Sequence, residues 1–327
     1  MNKKYWVIIA AAVLALAALV MYFLRPGLAP SLSQKAAIDR ALKDEAKTHG
    51  VFTDFRVKAD TADLSVQEGL DENWTHILLM GTDGRHSQLN DGRSDSMLIA
   101  SINRSTKEIK LTSLIRDMLV TLPDSRSKQR INTANRFGGP YLAVKTVNEL
   151  LGLNITKYCS INFEGFAELV DLAGGVELTL DQGESRIVRL PFSEEPQRLT
   201  GWQALTYARI RKLDNNFGRN ERQRKVLEAL FQKALAMGLK QVLALVPEGL
   251  KLISTNLTSS EVLSLLQLVL ASKSDVGTLS LPPEHGYRYG HQDDGASVII
   301  FDQEKTKQAF WDFIEGRETP PEEEKKN

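Results

Sequence analysis

The first strong feature of the hydrophobic pattern is an uncharged apolar run at residues 6–24. As a helix, which rises about 1.5 Å per residue, this run is long enough to cross the hydrocarbon core of a bilayer. Lys3 and Lys4 precede it, so the positive-inside rule places the N-terminus in the cytoplasm. The pattern predicts a single-pass cell-membrane protein whose remaining chain is extracytoplasmic. The alternative is a cleaved signal peptide, whose apolar part is usually shorter.

The polar pattern then divides the chain into parts. Residues 32–48 have helical spacing with a thin apolar face, and residues 50–73 mix short apolar groups with many acids. We predict a cytoplasmic stub and membrane anchor at residues 1–26, a stalk or lead-in at 27–74, and one globular domain at 75–316. The acidic and lysine-rich end, residues 317–327, is predicted to be disordered.

Three short apolar runs open the predicted domain and have the length of buried strands. They lie at His76–Gly81, Ser96–Ile102 and Glu108–Ile115. The second and third are separated by residues 103–107, which is the length of a hairpin loop, so part of the sheet is expected to be antiparallel.

Helical and strand patterns alternate through the rest of the domain. Pro140 suits the first position of a helix that ends near Gly152, and the periodicity predicts further helices around residues 163–173, 201–208, 220–236 and 240–272. Strands are predicted at Val176–Leu180, Gly277–Leu281 and Ser297–Phe301, and residues 181–200 are interpreted as mostly a polar loop. The class predicted from these elements is α/β with a mixed sheet.

Charge and cysteine content narrow the function classes. Lys plus Arg equals Asp plus Glu at 41 each, so there is no overall positive field that would recruit nucleic acid. The single cysteine, Cys159, excludes an internal disulfide framework and a cysteine-rich zinc site, and it is interpreted as a small buried residue. Any anion-binding role must therefore be local.

Acidic side chains at strand ends are the first candidates for chemistry, because the common catalytic motifs are missing from the sequence. Asp83 follows the first predicted strand, and Asp95 precedes the second. Two carboxylates at adjacent strand ends suit a hard cation such as Mg²⁺, which leaves its other positions to phosphate oxygens and water. The alternative is that each aspartate caps a turn or pairs with a neighbouring arginine.

Arginines accompany these acids. Arg116 follows the third predicted strand, and Arg209 and Arg211 lie two apart, so they would face the same way in an extended segment. Guanidinium groups match phosphate oxygens bidentately, and several around one metal would neutralise a diphosphate better than a single phosphate.

A second basic group crowds the predicted start of the helix at residues 218–225. Cations are disfavoured at a helix N-terminus, so this arrangement favours an anion held between them. Arg219 and Gln223 are four apart and would share a helix face. The alternative is a solvated basic face with ion pairs to Glu221 and Glu228.

Seven motifs, in order, resemble one known family. They are ILLMGTD, GRSDSM, SLIRDM, INTANRFGGP, FEGFAELVDLAGGVEL, LTGWQALTYARIR and FGRNERQRKVL, and they span roughly residues 75–235. This set is similar to that of the LytR-CpsA-Psr family, whose members also carry a single N-terminal membrane helix.

The resemblance implies both a fold and an activity. Members of the family have a central mixed sheet flanked by helices on both sides, with the lipid tail in an apolar tunnel. They are phosphotransferases that move a glycopolymer from an undecaprenyl-pyrophosphate carrier to peptidoglycan, usually as a phosphodiester on the C6 hydroxyl of N-acetylmuramic acid. They use Mg²⁺, for which Mn²⁺ is a possible substitute. The implied partners are the lipid-linked glycan, the peptidoglycan acceptor and the membrane, with no nucleic acid.

The resemblance also implies roles for single residues. Asp83 and Asp95 would hold the metal, and Arg130 stands where many members have lysine. One substitution departs from the family pattern, since Asn216 stands where a second aspartate is common. The residues expected to bind the pyrophosphate are Arg93, Arg116, Arg130, Arg209, Arg211, Arg219 and Gln223, and those expected to act in catalysis are Asp95, Arg116, Arg209 and Arg211.

Two other functions use the same residues and stay open at this point. Water could replace the acceptor hydroxyl, which would make the protein a polyprenyl-diphosphate hydrolase. A non-catalytic module would bind the lipid phosphate without turning it over. Product analysis separates these alternatives from transfer.

Overall fold

The structure is a computed structural model that describes residues 63–84, 92–123, 128–210, 252–258, 277–283, 286–292 and 295–317, with single helical residues between 222 and 268. The apolar run at residues 6–24 lies outside these ranges. Within them, no helix combines the length and the apolar character that crossing a bilayer requires.

A six-stranded sheet forms the centre of the domain, in the order β10-β3-β2-β1-β6-β9. Neighbours β1 and β6, and likewise β3 and β10, run parallel, while the other pairs are antiparallel, so the predicted mixed sheet is confirmed. The strands are β1 (Trp74–Thr82), β2 (Ser94–Asn103), β3 (Ile109–Leu114), β6 (Lys157–Asn162), β9 (Ile253–Thr255) and β10 (Gly277–Leu281).

One end of this sheet collects several strand termini. The register pairs Thr82 with both Ser94 and Asn162, and Leu114 with Leu281. The carboxyl ends of β1, β3, β6 and β10 therefore lie beside the amino end of β2. We call this end of the sheet the site edge, because loops at the carboxyl ends of such strands usually hold ligands.

Helices cover both faces of the sheet, as the α/β/α arrangement requires. Helices α1 and α5 pack on one face through residues such as Val144, Val147 and Phe310, while α2 and α4 pack on the other through Leu169 and Tyr207. The helices whose bounds the structure describes are α1 (Thr133–Leu151), α2 (Phe163–Leu172), α3 (Gln182–Val188), α4 (Gly201–Ala208) and α5 (Gln303–Glu315).

In the described part of the chain, three two-stranded sheets lie outside the central one. They pair β4 (Leu119–Thr121) with β5 (Lys128–Arg130), β7 (Val176–Leu178) with β8 (Gln197–Leu199), and β11 (Tyr287–His291) with β12 (Ser297–Phe301). The β4–β5 hairpin connects β3 to α1 and stands beside the site edge.

The prediction of continuous helix over residues 240–272 was wrong, because β9 lies within it. Ile253 pairs with Ile161 of β6, and the Thr255 hydroxyl donates a hydrogen bond to the Tyr158 carbonyl at 2.5 Å. Pairing with the edge of the sheet overrides the local helical spacing, and Ile253 and Thr255 are β-branched residues that suit a strand.

The interpretation of residues 181–200 as mostly a loop was also wrong. Asp181 caps α3 by accepting a hydrogen bond from the Glu184 amide, and the Glu184 side chain accepts one from the Asp181 amide. This capping box is readable in the sequence, as an aspartate followed three residues later by glutamate. Strand β8 then pairs with β7 later in the same segment.

Helix α1 begins earlier than predicted and is kinked. It starts at Thr133, and Gly138 and Gly139 have non-helical backbone angles, with φ of +66° at Gly139. Pro140 follows directly and opens the second helical segment, as expected for a first helical position. The first segment thereby carries Asn132 and Asn135 to the site edge.

Candidate functional site

Asp83 and Asp95 both stand at the site edge, next to each other in the β1–β2 register. Gly81 pairs with Ser96 and Thr82 pairs with Ser94, so Asp95 is an extra residue that forms a β-bulge. Bulges often redirect a side chain near an active site. Asp83 follows β1 directly, so the antiparallel pairing brings the two aspartates to the same end of two adjacent strands.

Gly92 fits the turn that holds the Asp83 carboxylate. Asp83 Oδ1 accepts a hydrogen bond from the Arg93 amide at 2.5 Å, and the Asp83 amide donates to the Arg93 carbonyl at 3.0 Å. Gly92 has φ of +91°, and a Cβ there would lie 2.6 Å from Asp83 Oδ1 and 2.4 Å from the Gly84 nitrogen. Only glycine satisfies both the backbone angle and the space.

Ion pairs join three of the predicted site residues. Arg116 pairs with Asp95, and Asp117 links Arg116 to Arg130. Arg116 Nη1 lies 2.5 Å from Asp95 Oδ1, and Arg116 Nε lies 3.5 Å from Asp117 Oδ2. Arg130 Nη1 lies 3.9 Å from Asp117 Oδ1. All four side chains are between 14% and 20% exposed, so the charges are only partly screened by water. Asp117 lies in the SLIRDM motif but was not predicted as a site residue.

The donor set at the site edge fits a Mg²⁺ ion that takes most of its ligands from substrate and water. Asp83 and Asp95 each use one carboxylate oxygen in the contacts above, and no described residue hydrogen-bonds to either second oxygen. Among the described residues there is no group of three or more acidic, histidine or cysteine side chains that could hold a metal. Mg²⁺ sites commonly use one or two carboxylates together with phosphate oxygens.

Arg209 reaches the site edge by stacking on Phe163. Phe163 follows Asn162 at the carboxyl end of β6, and Arg209 is the C-cap residue of α4. The guanidinium carbon lies 4.1 Å from the centroid of the Phe163 ring. Stacking occupies the face of the guanidinium group and leaves its N–H groups directed outward. Within the described part of the chain, no residue forms an ion pair or hydrogen bond with the Arg209 side chain, so none of them competes with a bound anion for these donors.

Two buried asparagines at the site edge were missed by the sequence analysis. Asn132 and Asn135 are only 2% and 1% exposed. The Asn132 backbone accepts a hydrogen bond from the Ser94 amide and donates one to the Arg116 carbonyl, and the Asn135 amide group donates to the Gly92 carbonyl at 2.9 Å. They therefore link the loops that carry Arg93 and Arg116. Both asparagines lie in the INTANRFGGP motif, but a sequence pattern alone does not distinguish a buried amide side chain from an exposed one.

Buried polar atoms without partners concentrate at this edge. Among the described residues at this edge, the side chains with such an atom are Thr82 (Oγ1), Arg93, Arg116 and Arg130 (Nε), Asp117, Asn132 and Asn135 (Oδ1), and Asn162 (Nδ2). Buried polar groups are nearly always satisfied in native proteins, so this concentration indicates a place where a polar ligand or water completes the hydrogen bonding.

The remaining predicted residues, Arg211, Arg219 and Gln223, lie outside the described residues, as does Asn216. Arg222, in the same basic run, is described and is 4% exposed. It donates a hydrogen bond to the Ile210 carbonyl at 2.8 Å and lies 3.7 Å from Glu184 on α3. One arginine of the run therefore faces the protein interior.

Cys159 is a partly buried residue of β6 that packs against the core. It has no disulfide partner, and burial raises its thiol pKa to about 12. The prediction of a small buried residue is confirmed only in part, because Cys159 is partly buried. The chemistry of the site edge therefore depends on carboxylates, guanidinium groups and amides.

Comparison with known proteins identifies the family. The model of the LytR_cpsA_psr family matches residues 31–312. The chain belongs to this family. A relative from Enterococcus faecalis, the polyisoprenyl-teichoic acid–peptidoglycan teichoic acid transferase TagU, is 33% identical over 243 residues, which are 70% of this chain and 75% of that protein.

Solved structures of other LytR-CpsA-Psr proteins share the fold. Bacillus subtilis TagV is 27% identical with a TM-score of 0.57, and the match covers 77% of this chain and all of that one. TagT (YwtF) of the same species, solved with a bound octaprenyl pyrophosphate lipid, is 23% identical with a TM-score of 0.57 and covers 78% of this chain and 97% of that one.

Proposed function

We propose that the protein transfers a glycopolymer from a polyprenyl-pyrophosphate carrier to peptidoglycan and forms a phosphodiester link. The observation that carries this proposal is the site edge, which carries two carboxylates, four arginines and two buried asparagines whose side-chain oxygens have no hydrogen-bond partner among the described residues. TagU, a family relative at 33% identity, is named for transfer of teichoic acid from a polyisoprenyl carrier to peptidoglycan. TagT, a chain of the same fold, was solved with octaprenyl pyrophosphate.

In the proposed reaction, the oxygen of an acceptor sugar hydroxyl attacks the phosphorus nearest the glycan. The bond from that phosphorus to the bridging oxygen breaks, polyprenyl monophosphate leaves, and the hydroxyl proton is released. Arg116 and Arg209 would neutralise the charge that spreads over the phosphate oxygens, with Arg93 and Arg130 beside them. Such reactions depend mainly on positioning and electrostatics, which is why the site needs no covalent nucleophile.

Asp83 and Asp95 are the residues proposed to hold Mg²⁺ or Mn²⁺. When bound, the ion would supply positive charge to the diphosphate oxygens. Arg116 would then be shared between Asp95 and the substrate, because its Nε has no hydrogen-bond partner among the described residues. Arg211, Arg219 and Gln223 are proposed to complete the pyrophosphate site.

We also propose that the protein is anchored in the cell membrane by residues 6–24, with the catalytic domain outside the cytoplasm. The support is the uncharged apolar run and the lysines before it. An anchored domain would meet the carrier lipid at the bilayer surface.

The test compares two aspartates that contact the same arginine. Asp95→Asn should raise the Mg²⁺ concentration needed for half-maximal transfer and reduce the maximal rate by about 100-fold, a cost on the order of 3 kcal/mol. Asp117→Asn removes a different ion pair of Arg116 and should leave the Mg²⁺ dependence unchanged. Transfer is followed by mass spectrometry with the full chain, a synthetic polyprenyl-pyrophosphoryl sugar and a peptidoglycan oligomer. Equal Mg²⁺ dependence in both variants would contradict the metal assignment.

A further inference from the structure

The β11–β12 hairpin carries an exposed aromatic stripe that the site described above does not use. Tyr289 is 62% exposed, and its ring lies 5.8 Å from that of Tyr287 in an edge-to-face arrangement at 89°. Tyr287, Tyr289 and His291 alternate along β11, so their side chains leave the strand on the same face. We call these three residues the tyrosine stripe.

One backbone hydrogen bond and one side-chain hydrogen bond attach this hairpin to the site edge. Ile299, which pairs with Tyr289 across the hairpin, donates its amide to the Asp117 carbonyl at 2.8 Å. The Gln292 side chain donates to the Lys128 carbonyl, at the start of β5, at 3.0 Å. Neighbouring strands are about 4.8 Å apart, so the Tyr289 backbone lies roughly 10 Å from that of Asp117, whose carboxylate pairs with Arg116 and Arg130.

We propose that the tyrosine stripe binds the glycan strand of the acceptor peptidoglycan and places one of its hydroxyls at the site edge. This inference rests on the proposed function, because it assigns a surface to the second substrate. The C–H bonds of a sugar ring suit the negative face of a tyrosine ring, and the exposed His291 offers hydrogen bonds to hydroxyl and acetamide groups. If one sugar packs on Tyr289, the rest of the glycan must span roughly two strand spacings to reach the phosphate at the site edge.

Other occupants fit this surface less well. A bilayer surface selects a broad apolar face with clustered basic residues, whereas this stripe is narrow and its strand carries a single arginine, Arg288, together with glycine and histidine. A partner that adds a strand to the outer edge of β11 would use the backbone and would be insensitive to the Tyr289 ring. If the occupant still binds after the Tyr289 ring is removed, it is a strand-adding partner; if binding is lost, it is a glycan.

The test measures binding of the full chain in detergent to a GlcNAc–MurNAc oligosaccharide without stem peptides, by calorimetry, in the absence of lipid donor. Tyr289→Ser should weaken binding about tenfold, which corresponds to the loss of one well-packed aromatic contact. Tyr289→Phe should keep the wild-type affinity. Trp202→Ser removes another exposed aromatic ring, on α4, and should leave the affinity unchanged.

Steady-state kinetics separate this inference from the proposed function. Tyr289→Ser should raise KM for the acceptor and leave KM for the donor and kcat unchanged. If Tyr289 controls oligosaccharide binding but no transfer occurs, the surface assignment stands and the proposed function fails. The assignment is overturned if the wild type shows no millimolar binding, if Tyr289→Ser binds like the wild type, or if Trp202→Ser loses as much affinity.

Discussion

Replacing Phe163 by leucine should weaken diphosphate binding through its effect on Arg209, although Phe163 contacts no phosphate in the proposed complex. The ring holds the guanidinium group at 4.1 Å while leaving its N–H groups available. Phe163→Leu keeps an apolar side chain at the first position of α2 and removes the aromatic face. Arg209 would then have to be ordered by the ligand alone.

The expected magnitude follows from the exposure of the pair. Cation–π contacts at exposed sites contribute about 0.5–1 kcal/mol, and Arg209 is exposed. Loss of the contact should therefore reduce affinity by a factor of roughly two to five. Phe163→Tyr retains an aromatic face and should bind nearly as well as the wild type.

Calorimetric titration with geranyl diphosphate at fixed Mg²⁺ and salt concentrations is a suitable assay, read as a double-mutant cycle with Arg209→Ala. The Phe163→Leu effect should disappear in the Arg209→Ala background, because the arginine that the ring positions is already absent. An equal loss in both backgrounds would refute this reasoning and assign Phe163 a packing role. If Arg209→Ala alone has no effect, the assignment of Arg209 to the diphosphate is wrong.

Two further predictions concern the backbone and stability. Gly92→Ala should abolish transfer, because the added Cβ would clash with Asp83. Gly69→Ala is the control, since Gly69 has a similar φ of +76° but an added Cβ there would meet no atom within 4 Å, so this variant should retain activity. Comparable transfer rates in the two variants would contradict the role of the Gly92 turn. Burial lowers the pKa of His76 to about 4. Between pH 4 and 6.5 the His76 imidazole is therefore protonated more in the unfolded chain than in the folded one. The free energy of unfolding should fall by up to about 3 kcal/mol as the pH drops through this range, as measured by urea titration. His76→Gln should flatten the dependence of the free energy of unfolding on pH, and substitution of the exposed His291 by glutamine should not. Equal pH slopes in the two variants would contradict the assignment to His76.

Strand patterns predicted much of the central sheet because its members are apolar and short. The first three strands were located within two residues of their observed bounds, since β1 and β2 are buried for most of their length and punctuated by glycine and polar turns. The loop at residues 103–107 is so short that the strands on either side can pair only in the antiparallel direction. That antiparallel pair is the reason why a mixed sheet was predicted.

The strand at the far edge of the sheet could not be predicted from local pattern. β9 is only three residues long, and its identity depends on pairing with β6, more than ninety residues earlier in the chain. Similarly, the polar composition of the segment before α4 predicts a loop, although its Asp181–Glu184 capping box marks the start of α3.

The candidate site was only partly predictable. Asp83, Arg93, Asp95 and Arg116 were predicted to lie at strand ends because charged residues stand out beside apolar strands, and the structure places them at one edge of the sheet. The roles of Asn132 and Phe163 depend on tertiary contacts, since the first joins two loops through its backbone and the second is defined by an arginine more than forty residues away. No periodicity in a single sequence reports such contacts.

The destination of the phosphorus atom nearest the glycan tests the proposed transfer most directly. A donor labelled with ³³P at that atom and with ³H in the polyprenyl chain is incubated with the full chain, Mg²⁺ and peptidoglycan oligomer, and the products are separated. Transfer predicts that ³³P becomes covalently attached to peptidoglycan and that ³H is recovered as polyprenyl monophosphate. Recovery of ³³P as free sugar phosphate, with none on peptidoglycan, would contradict transfer and identify a hydrolase.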